Sequence, residues 1–249
     1  TKVTAPVVEK AEKLKVVARA GIGVDNVDVT EASNRGIVVM NAPGGNTLTT
    51  AEHAIAMMLS LARNIPQATA SMRAGQWEKK AFMGVEIGGK TLGIIGLGQI
   101  GRVVASRAQG LGMKVIATDP YITKEVAASL GVELVLMDDL LAGADFISLH
   151  VPRLEETKNL IRSATLQKMK KGVRLINCSR GDVVHLDDLA EALSSGQVAG
   201  AALDVFPKEP PDYSSTLFKH PKVILTPHLG ASTGEAQEKV SEMIAKQMV

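Results

Sequence analysis

The sequence has one cysteine, no apolar run long enough to cross a bilayer, and almost no imbalance of charge. Cys178 has no second cysteine to pair with, so no internal disulfide can hold the fold, and ten Met beside one Cys suit a reducing cytoplasm. The most hydrophobic stretches are interrupted by Gly, Asp or Arg well before the roughly 18 residues a spanning helix needs. A formal net charge of +2 gives no general attraction to nucleic acid or to a membrane surface, and neither partner is expected. The opening TKVTAPVVEKAEKL lacks the continuous apolar centre of a secretory signal and reads as a polar helix opened by Thr4 and Pro6. No repeat and no low-complexity segment is evident.

What is present is a 249-residue chain, 45% apolar and 22% charged, able to bury one large core or two modest ones. Short β-branched runs alternate with helical patterns, which is the mark of parallel strands joined by crossover helices. Strands are predicted at 15–19, 37–40, 91–96, 114–118, 145–149, 173–177, 200–204 and 223–225. Helices are predicted at 47–62, 99–111, 123–130, 163–169, 186–194 and 234–249. The fold class is therefore α/β, a doubly wound parallel sheet with a smaller lobe before it. The APGGN break at Pro43 to Asn46 divides the two, giving a small lobe at 1–43, a main domain at 44–229, and a helix at 230–249 that returns to the small lobe. That lobe needs the returning helix, because about 43 residues make a poor independent core.

Gly96, Gly98 and Gly101 form GLGQIG between the strand KTLGIIG and the helix that begins at Gln99. This is the strand, glycine turn and helix order of a Rossmann dinucleotide site. The first glycine makes the tight turn, the second lets pyrophosphate approach the backbone, and the third lets the helix pack closely. The N–H groups of Gln99 and Ile100 lie where phosphate oxygens would meet the positive end of the helix. The next strand ends in Asp119, about 20 residues on, where the fold places the acid that binds the ribose hydroxyls. No Arg or Lys follows to receive a 2′-phosphate, so NAD is expected rather than NADP.

Three further segments stand out: INCSRGDVV around Arg180, ALDVFPKEPP around Glu209 and ILTPHLGAST around His228. With the glycine motif they resemble the D-2-hydroxyacid dehydrogenases over nearly the whole chain. RAGIGVDNVD, QWEKKAFMG and PHLGAST look most like the branch of that family that acts on a phosphorylated 2-hydroxy acid, 3-phosphoglycerate. The resemblance implies a Rossmann domain beside a truncated, flavodoxin-like substrate domain. It also implies a homodimer or homotetramer, with the WEKKAF segment at a dimer contact, and the apolar content of the helix at 47–62 adds that helix to the expected twofold interface. His228 is the implied base for the hydroxyl proton, Glu209 the carboxylate that orients its imidazole, and Arg180 the planar fork that grips the substrate carboxylate or carbonyl. Asp204 is implied to receive the nicotinamide carboxamide, and Pro152, Cys178 and Gly230 complete the cofactor set.

For the substrate, backbone N–H groups of Gly21, Ile22 and Gly23 could receive the carboxylate, with an ordinary strand-to-helix turn as the rival reading. Arg19 and Lys79 are the candidates for the phosphate, although a solvated charged face explains Lys79 nearly as well. His53 and His150 are set aside because neither has metal-ligand company in the sequence, and no metal is expected. Cys178 reads as a small buried residue rather than a nucleophile. Full-length members of the family begin with further strand and helix units, so this stretch is expected to bind NAD well and to turn over substrate poorly. Two other readings remain: a dehydrogenase for glycerate, glyoxylate or lactate, and a dinucleotide-sensing corepressor that keeps the same fold.

Overall fold

The computed structural model describes residues 2–249. In chain order the elements are α1 (Ala5–Lys10), β1 (Val16–Arg19), α2 (Val29–Asn34), β2 (Val38–Asn41), α3 (Thr47–Arg63), α4 (Ile65–Arg73) and β3 (Thr91–Ile95). They continue with α5 (Gln99–Gly110), β4 (Lys114–Thr118), α6 (Lys124–Ser129), β5 (Glu133–Leu134), α7 (Met137–Gly143), β6 (Phe146–Leu149) and α8 (Ser163–Leu166). The last are β7 (Val173–Asn177), α9 (Leu186–Ser195), β8 (Val198–Leu203), β9 (Val223–Leu225) and α10 (Gly234–Met248). Two compact units result. One runs to Thr49 and resumes at Ala231; the other is Thr50–Gly230. Relative to the sequence reading, the first break falls inside α3 rather than at APGGN.

The larger unit is built on one parallel sheet of seven strands in the order β5-β4-β3-β6-β7-β8-β9. The order reverses direction at β3, between β4 on one side and β6 on the other. In an open α/β sheet such a reversal opens a crevice at the carboxyl ends of the strands. Strand β6 is buried at all four positions and β3 at its last four, as expected of strands covered by helices on both faces. One core cluster packs α3 and α5 against β3 and β4 through residues such as Met58, Leu61, Leu92, Ile94 and Val104. A second joins Leu140, Ile147, Leu175, Leu189 and Leu203. At Gly93 an added Cβ would stand 2.7 Å from Leu140 Cδ2, which is how closely α7 approaches the sheet.

The smaller unit pairs β1 with β2 in parallel. Its buried core is Val8, Ala32 and Ile37, and α10 contributes buried Ala236, Val240 and Ile244. Helix α10 packs in this unit: a Cβ on Gly45 would meet Val240 Cγ1 at 2.4 Å. Among the described residues no helix is long and apolar enough to cross a membrane.

Candidate functional site

Strands β3, β6, β7, β8 and β9 run in register, with Ile95 opposite Leu149, Leu149 opposite Asn177, Asn177 opposite Leu203, and Leu203 opposite Leu225. The residues that follow these ends are Gly96, His150, Cys178, Asp204 and Thr226. Motifs scattered over 130 residues of sequence are thus gathered along one edge of one sheet.

The glycine turn fits a dinucleotide on its own geometry. Gly96 has φ +96°, and a Cβ there would lie 2.5 Å from the carbonyl oxygen of His150. Gly101 lies so close to Gly96 that a Cβ would stand 2.1 Å from its carbonyl oxygen. Around Gly98 the space is open. Gly98 also precedes α5 without any side chain capping the helix, so no capping side chain competes with a phosphate for its positive end. Asp119 accepts the N–H of Leu97 at 2.8 Å and that of Tyr121 at 2.8 Å. A carboxylate has about four acceptor directions, so two remain for ribose hydroxyls. Pro152 follows β6 on a loop closed by Thr157, whose hydroxyl donates to the Pro152 carbonyl at 2.7 Å.

After β7 the chain turns sharply under the control of Asn177, which is buried. Its side-chain carbonyl accepts the N–H and hydroxyl of Ser179 at 3.0 and 2.9 Å, and its amide donates to the carbonyl of Arg180 at 2.9 Å. Arg180 Nη1 donates to the Ser179 carbonyl at 2.8 Å. The following Gly181 permits a very close approach: a Cβ would fall 1.9 Å from the carbonyl carbon of Phe206. The N–H of Phe206 in turn donates to Glu209 Oε1 at 3.1 Å. The backbone that fixes the arginine turn therefore also fixes the glutamate. Burial pushes the Cys178 thiol up, and the nearby Asp204 charge adds to this, so at neutral pH it is a thiol and a poor nucleophile.

Glu209 Oε2 lies 2.7 Å from His228 Nδ1. A carboxylate here makes Nδ1 the donor and leaves Nε2 as the nitrogen that can exchange a proton with another molecule. Both side chains are half exposed, so the value of the pair lies in orientation rather than in salt-bridge energy. His228 itself has φ +57°, a conformation that costs a non-glycine residue roughly 1 kcal/mol or more.

That turn is held by Asp204, which is fully buried. Its backbone carbonyl accepts the N–H of His228 at 2.9 Å. Its carboxylate accepts the N–H of Leu229 at 2.7 Å, the N–H of Gly230 at 2.8 Å and the hydroxyl of Thr226 at 2.6 Å. His53 Nε2 lies 3.2 Å away. Burial alone opposes the charge on Asp204; the hydrogen bonds from His53, Thr226, Leu229 and Gly230 outweigh it and hold the carboxyl below the ordinary aspartate value.

His53 thus has the company that the sequence did not show, and the earlier dismissal is corrected: ligand atoms of His53, Cys178 and Asp204 lie within 4.8 Å of one another. The contact joins α3 to a strand end some 150 residues away, which no local pattern reveals. The donor set does not favour an ion, because Asp204 is already engaged by four donors and the Cys178 sulfur is protonated.

The substrate candidates fall in both units. Arg19, Gly21, Ile22 and Gly23 lie in the smaller one, where Gly21 accepts the N–H of Ala42 at 2.9 Å and Ile22 accepts the side-chain amide of Asn41 at 2.7 Å; the N–H of Gly21 donates to the Arg19 carbonyl at 2.9 Å, so the expectation that it receives a carboxylate is corrected. Lys79 is exposed in the larger unit. The dimer expectation included α3, but its apolar face, Ala51, Ala54, Met57, Met58, Leu61 and Ala62, is buried. Leu48 near the start of α3 is exposed, and four more exposed apolar side chains lie on α4 and the segment after it: Ile65, Met72, Trp77 and Met83.

Residues 55–230 match the model of the D-isomer specific 2-hydroxyacid dehydrogenase family, NAD binding domain. The chain belongs to this family, and its larger unit is the NAD-binding domain. Over all 249 residues it is 53% identical to the D-3-phosphoglycerate dehydrogenase of Archaeoglobus fulgidus and 55% identical to that of Homo sapiens, covering 47% and 46% of those proteins. It spans about half the length of the curated relatives it matches. Among solved structures, the NAD-dependent formate dehydrogenase of Staphylococcus aureus in complex with NAD superposes with a TM-score of 0.90 at 32% identity, covering 99% of this chain and 74% of that one. The D-lactate dehydrogenase of Aquifex aeolicus complexed with NAD and lactic acid gives 0.90 at 30% identity, covering 99% and 79%.

Proposed function

We propose that this chain is the cofactor-binding and proton-transfer part of an enzyme that oxidises 3-phosphoglycerate to 3-phosphohydroxypyruvate, the first step of serine biosynthesis. The observation that carries the reading is the His228–Glu209 pair at 2.7 Å, at the carboxyl edge of the sheet that also carries the glycine turn. Bound NAD supplies the hydride acceptor. His228 Nε2 takes the proton of the C2 hydroxyl, while Glu209 holds the ring through Nδ1. Arg180, fixed by Asn177 and Gly181, grips the carboxylate or the developing carbonyl. Asp204 and Gly230 border the nicotinamide end, with Pro152 and Cys178 along the cofactor, and Asp119 at the ribose selects NAD over NADP. In the smaller unit Ile22 and Gly23 remain the backbone candidates for a carboxylate and Arg19 a candidate for the phosphate, whereas Gly21 already donates its N–H to the Arg19 carbonyl; in the larger unit Lys79 is the phosphate candidate.

The phosphorylated substrate is favoured by the 50–55% identity to proteins named for it, against 30–33% to solved D-lactate dehydrogenases. A twofold dimer would cover Ile65, Met72, Trp77 and Met83, an apolar group that a solvated surface does not require. A reducing cytoplasm suits a single buried cysteine. The test is NADH production from a panel of 2-hydroxy acids, run on this chain and on one extended to the length of its relatives. Turnover of 3-phosphoglycerate well above that of glycerate and lactate supports the reading; preference for an unphosphorylated acid contradicts it. Light scattering at micromolar concentration should give a dimer for the extended protein.

A further inference from the structure

We infer that Thr226 and His53 are positioning residues for the proton-transfer histidine, acting on it through the buried carboxylate of Asp204. This rests on the reading of His228 as the base. The chain of contacts is short. Thr226 follows the end of β9, two residues before His228, and its hydroxyl is 2.6 Å from Asp204 Oδ1. A hydroxyl has one proton, and at that distance from a carboxylate the proton points to Asp204. Thr226 Oγ1 can then only accept from His53 Nε2, which stands 3.2 Å from it and 3.2 Å from Asp204 Oδ1. His53 Nε2 must therefore carry a hydrogen, shared between the two oxygens.

The consequence falls on the turn that carries His228. Asp204 Oδ1 also accepts the Leu229 N–H, Oδ2 accepts the Gly230 N–H, and the Asp204 carbonyl accepts the His228 N–H. These three consecutive N–H groups keep His228 in its left-handed conformation. Rotation of the carboxylate would release two of them. A carboxylate with no exposed surface has no water to fix its plane or offset its charge, so its side-chain donors must do both. Thr226 and His53 are those donors, and both approach the oxygen that also receives Leu229. Gly230 leaves little slack on the opposite side, since a Cβ there would sit 3.2 Å from Asp204 Oδ2. The arrangement places a second layer of control behind the His228–Glu209 pair: Glu209 sets the ring, and the Asp204 cluster sets the backbone from which the ring projects.

The experiment compares Thr226→Val, Thr226→Ser, His53→Leu and His53→Gln with the unaltered protein. Amide hydrogen exchange at Leu229 and Gly230 is read in the 249-residue chain. Turnover, KM and NAD affinity are read in the chain extended to its relatives' length. Loss of a hydrogen bond to a charged group predicts exchange at these two amides about tenfold faster in Thr226→Val, with kcat down about tenfold and KM little changed. The effect in His53→Leu is smaller and in the same direction, and Thr226→Ser and His53→Gln recover most of it because each restores a donor. Unchanged exchange in Thr226→Val overturns the proposal, as does a loss that appears equally across all protected amides and is not restored by Ser. If the unaltered extended protein has no turnover on any 2-hydroxy acid, the reading of His228 fails, and the exchange data alone decide whether the clamp exists.

Discussion

The two units differ most in how their strands are covered. In the larger unit the central strands of a seven-stranded sheet are buried almost end to end, and two large apolar clusters lie on the sheet. In the smaller unit two short strands share a burial pattern of one exposed and three half-buried positions, over a small cluster of Val8, Ala32 and Ile37 supplemented by α10. The first can hold side chains at strand ends to within a fraction of an ångström, because a close-packed interior leaves each end no alternative position. The second has little to resist local opening. Groups that must keep fixed distances, the glycine turn and the His228–Glu209 pair, all belong to the first.

This difference should appear most strongly under core truncation. Leu175→Ala, at a fully buried position of the central sheet, should cost about 3 to 5 kcal/mol and abolish NAD binding in the population it unfolds. Val240→Ala, on α10 of the smaller unit, should cost about 1 to 2 kcal/mol and leave NAD affinity intact. Chemical denaturation followed by cofactor titration checks both. Equal costs, or loss of NAD binding in the α10 variant, would break the comparison.

Acid should act on the larger unit through His150. Part of this residue reaches solvent, but its ring is enclosed: Nδ1 is buried without a partner and Nε2 is 2.8 Å from Ser148 Oγ. Burial lowers its pKa to about 4. The unfolded chain therefore takes up this proton first, so stability is full above about pH 6.5 and falls as pH drops toward 4. At about 1.4 kcal/mol per pH unit the loss approaches 3 kcal/mol. The lowered Asp204 adds a loss of the same sign at lower pH, because stability held by a depressed carboxylate disappears as that carboxylate is protonated. Denaturation midpoints measured from pH 7 to 4 should show this slope, and His150→Gln should flatten its upper part.

A smaller effect is expected at the cofactor. Asp119→Ala removes both the acid at the ribose and the acceptor for Leu97 and Tyr121. NAD affinity should fall by about tenfold, with NADP affected less. Calorimetry with both cofactors checks it; an unchanged ratio counts against the role given to Asp119.

Short strands rich in aliphatic residues are legible in the sequence: β4, β7 and β9 fall at their predicted limits. The elements that were missed had weaker local signals. Strand β5 is only two residues long, too short for any alternation. Helix α4 starts behind Asn64 at φ +53°, so it reads as a continuation of α3 or a loop. Helix α7 ends in Gly143 after seven residues. Helix α2 opens on Val-Thr and depends on the Asp28 side chain, which accepts the N–H of Glu31 at 2.9 Å. At the site, glycines and motif residues were visible because they are consecutive in sequence. His53 and Asn177 were not, because their roles depend on tertiary contacts or on backbone turns that residue type alone does not announce.

His228 and Glu209, 2.7 Å apart, are proposed to act as one proton-transfer unit on the rigid sheet edge. The most direct test is the pH profile of kcat for the unaltered protein, His228→Ala, Glu209→Gln and the double variant, in the chain extended to its relatives' length, with NAD affinity measured separately. His228→Ala is expected to lower kcat by on the order of 10²- to 10⁴-fold with NAD binding nearly intact, and the double variant to be little worse. Fully additive losses, or near-normal kcat in His228→Ala, would contradict it.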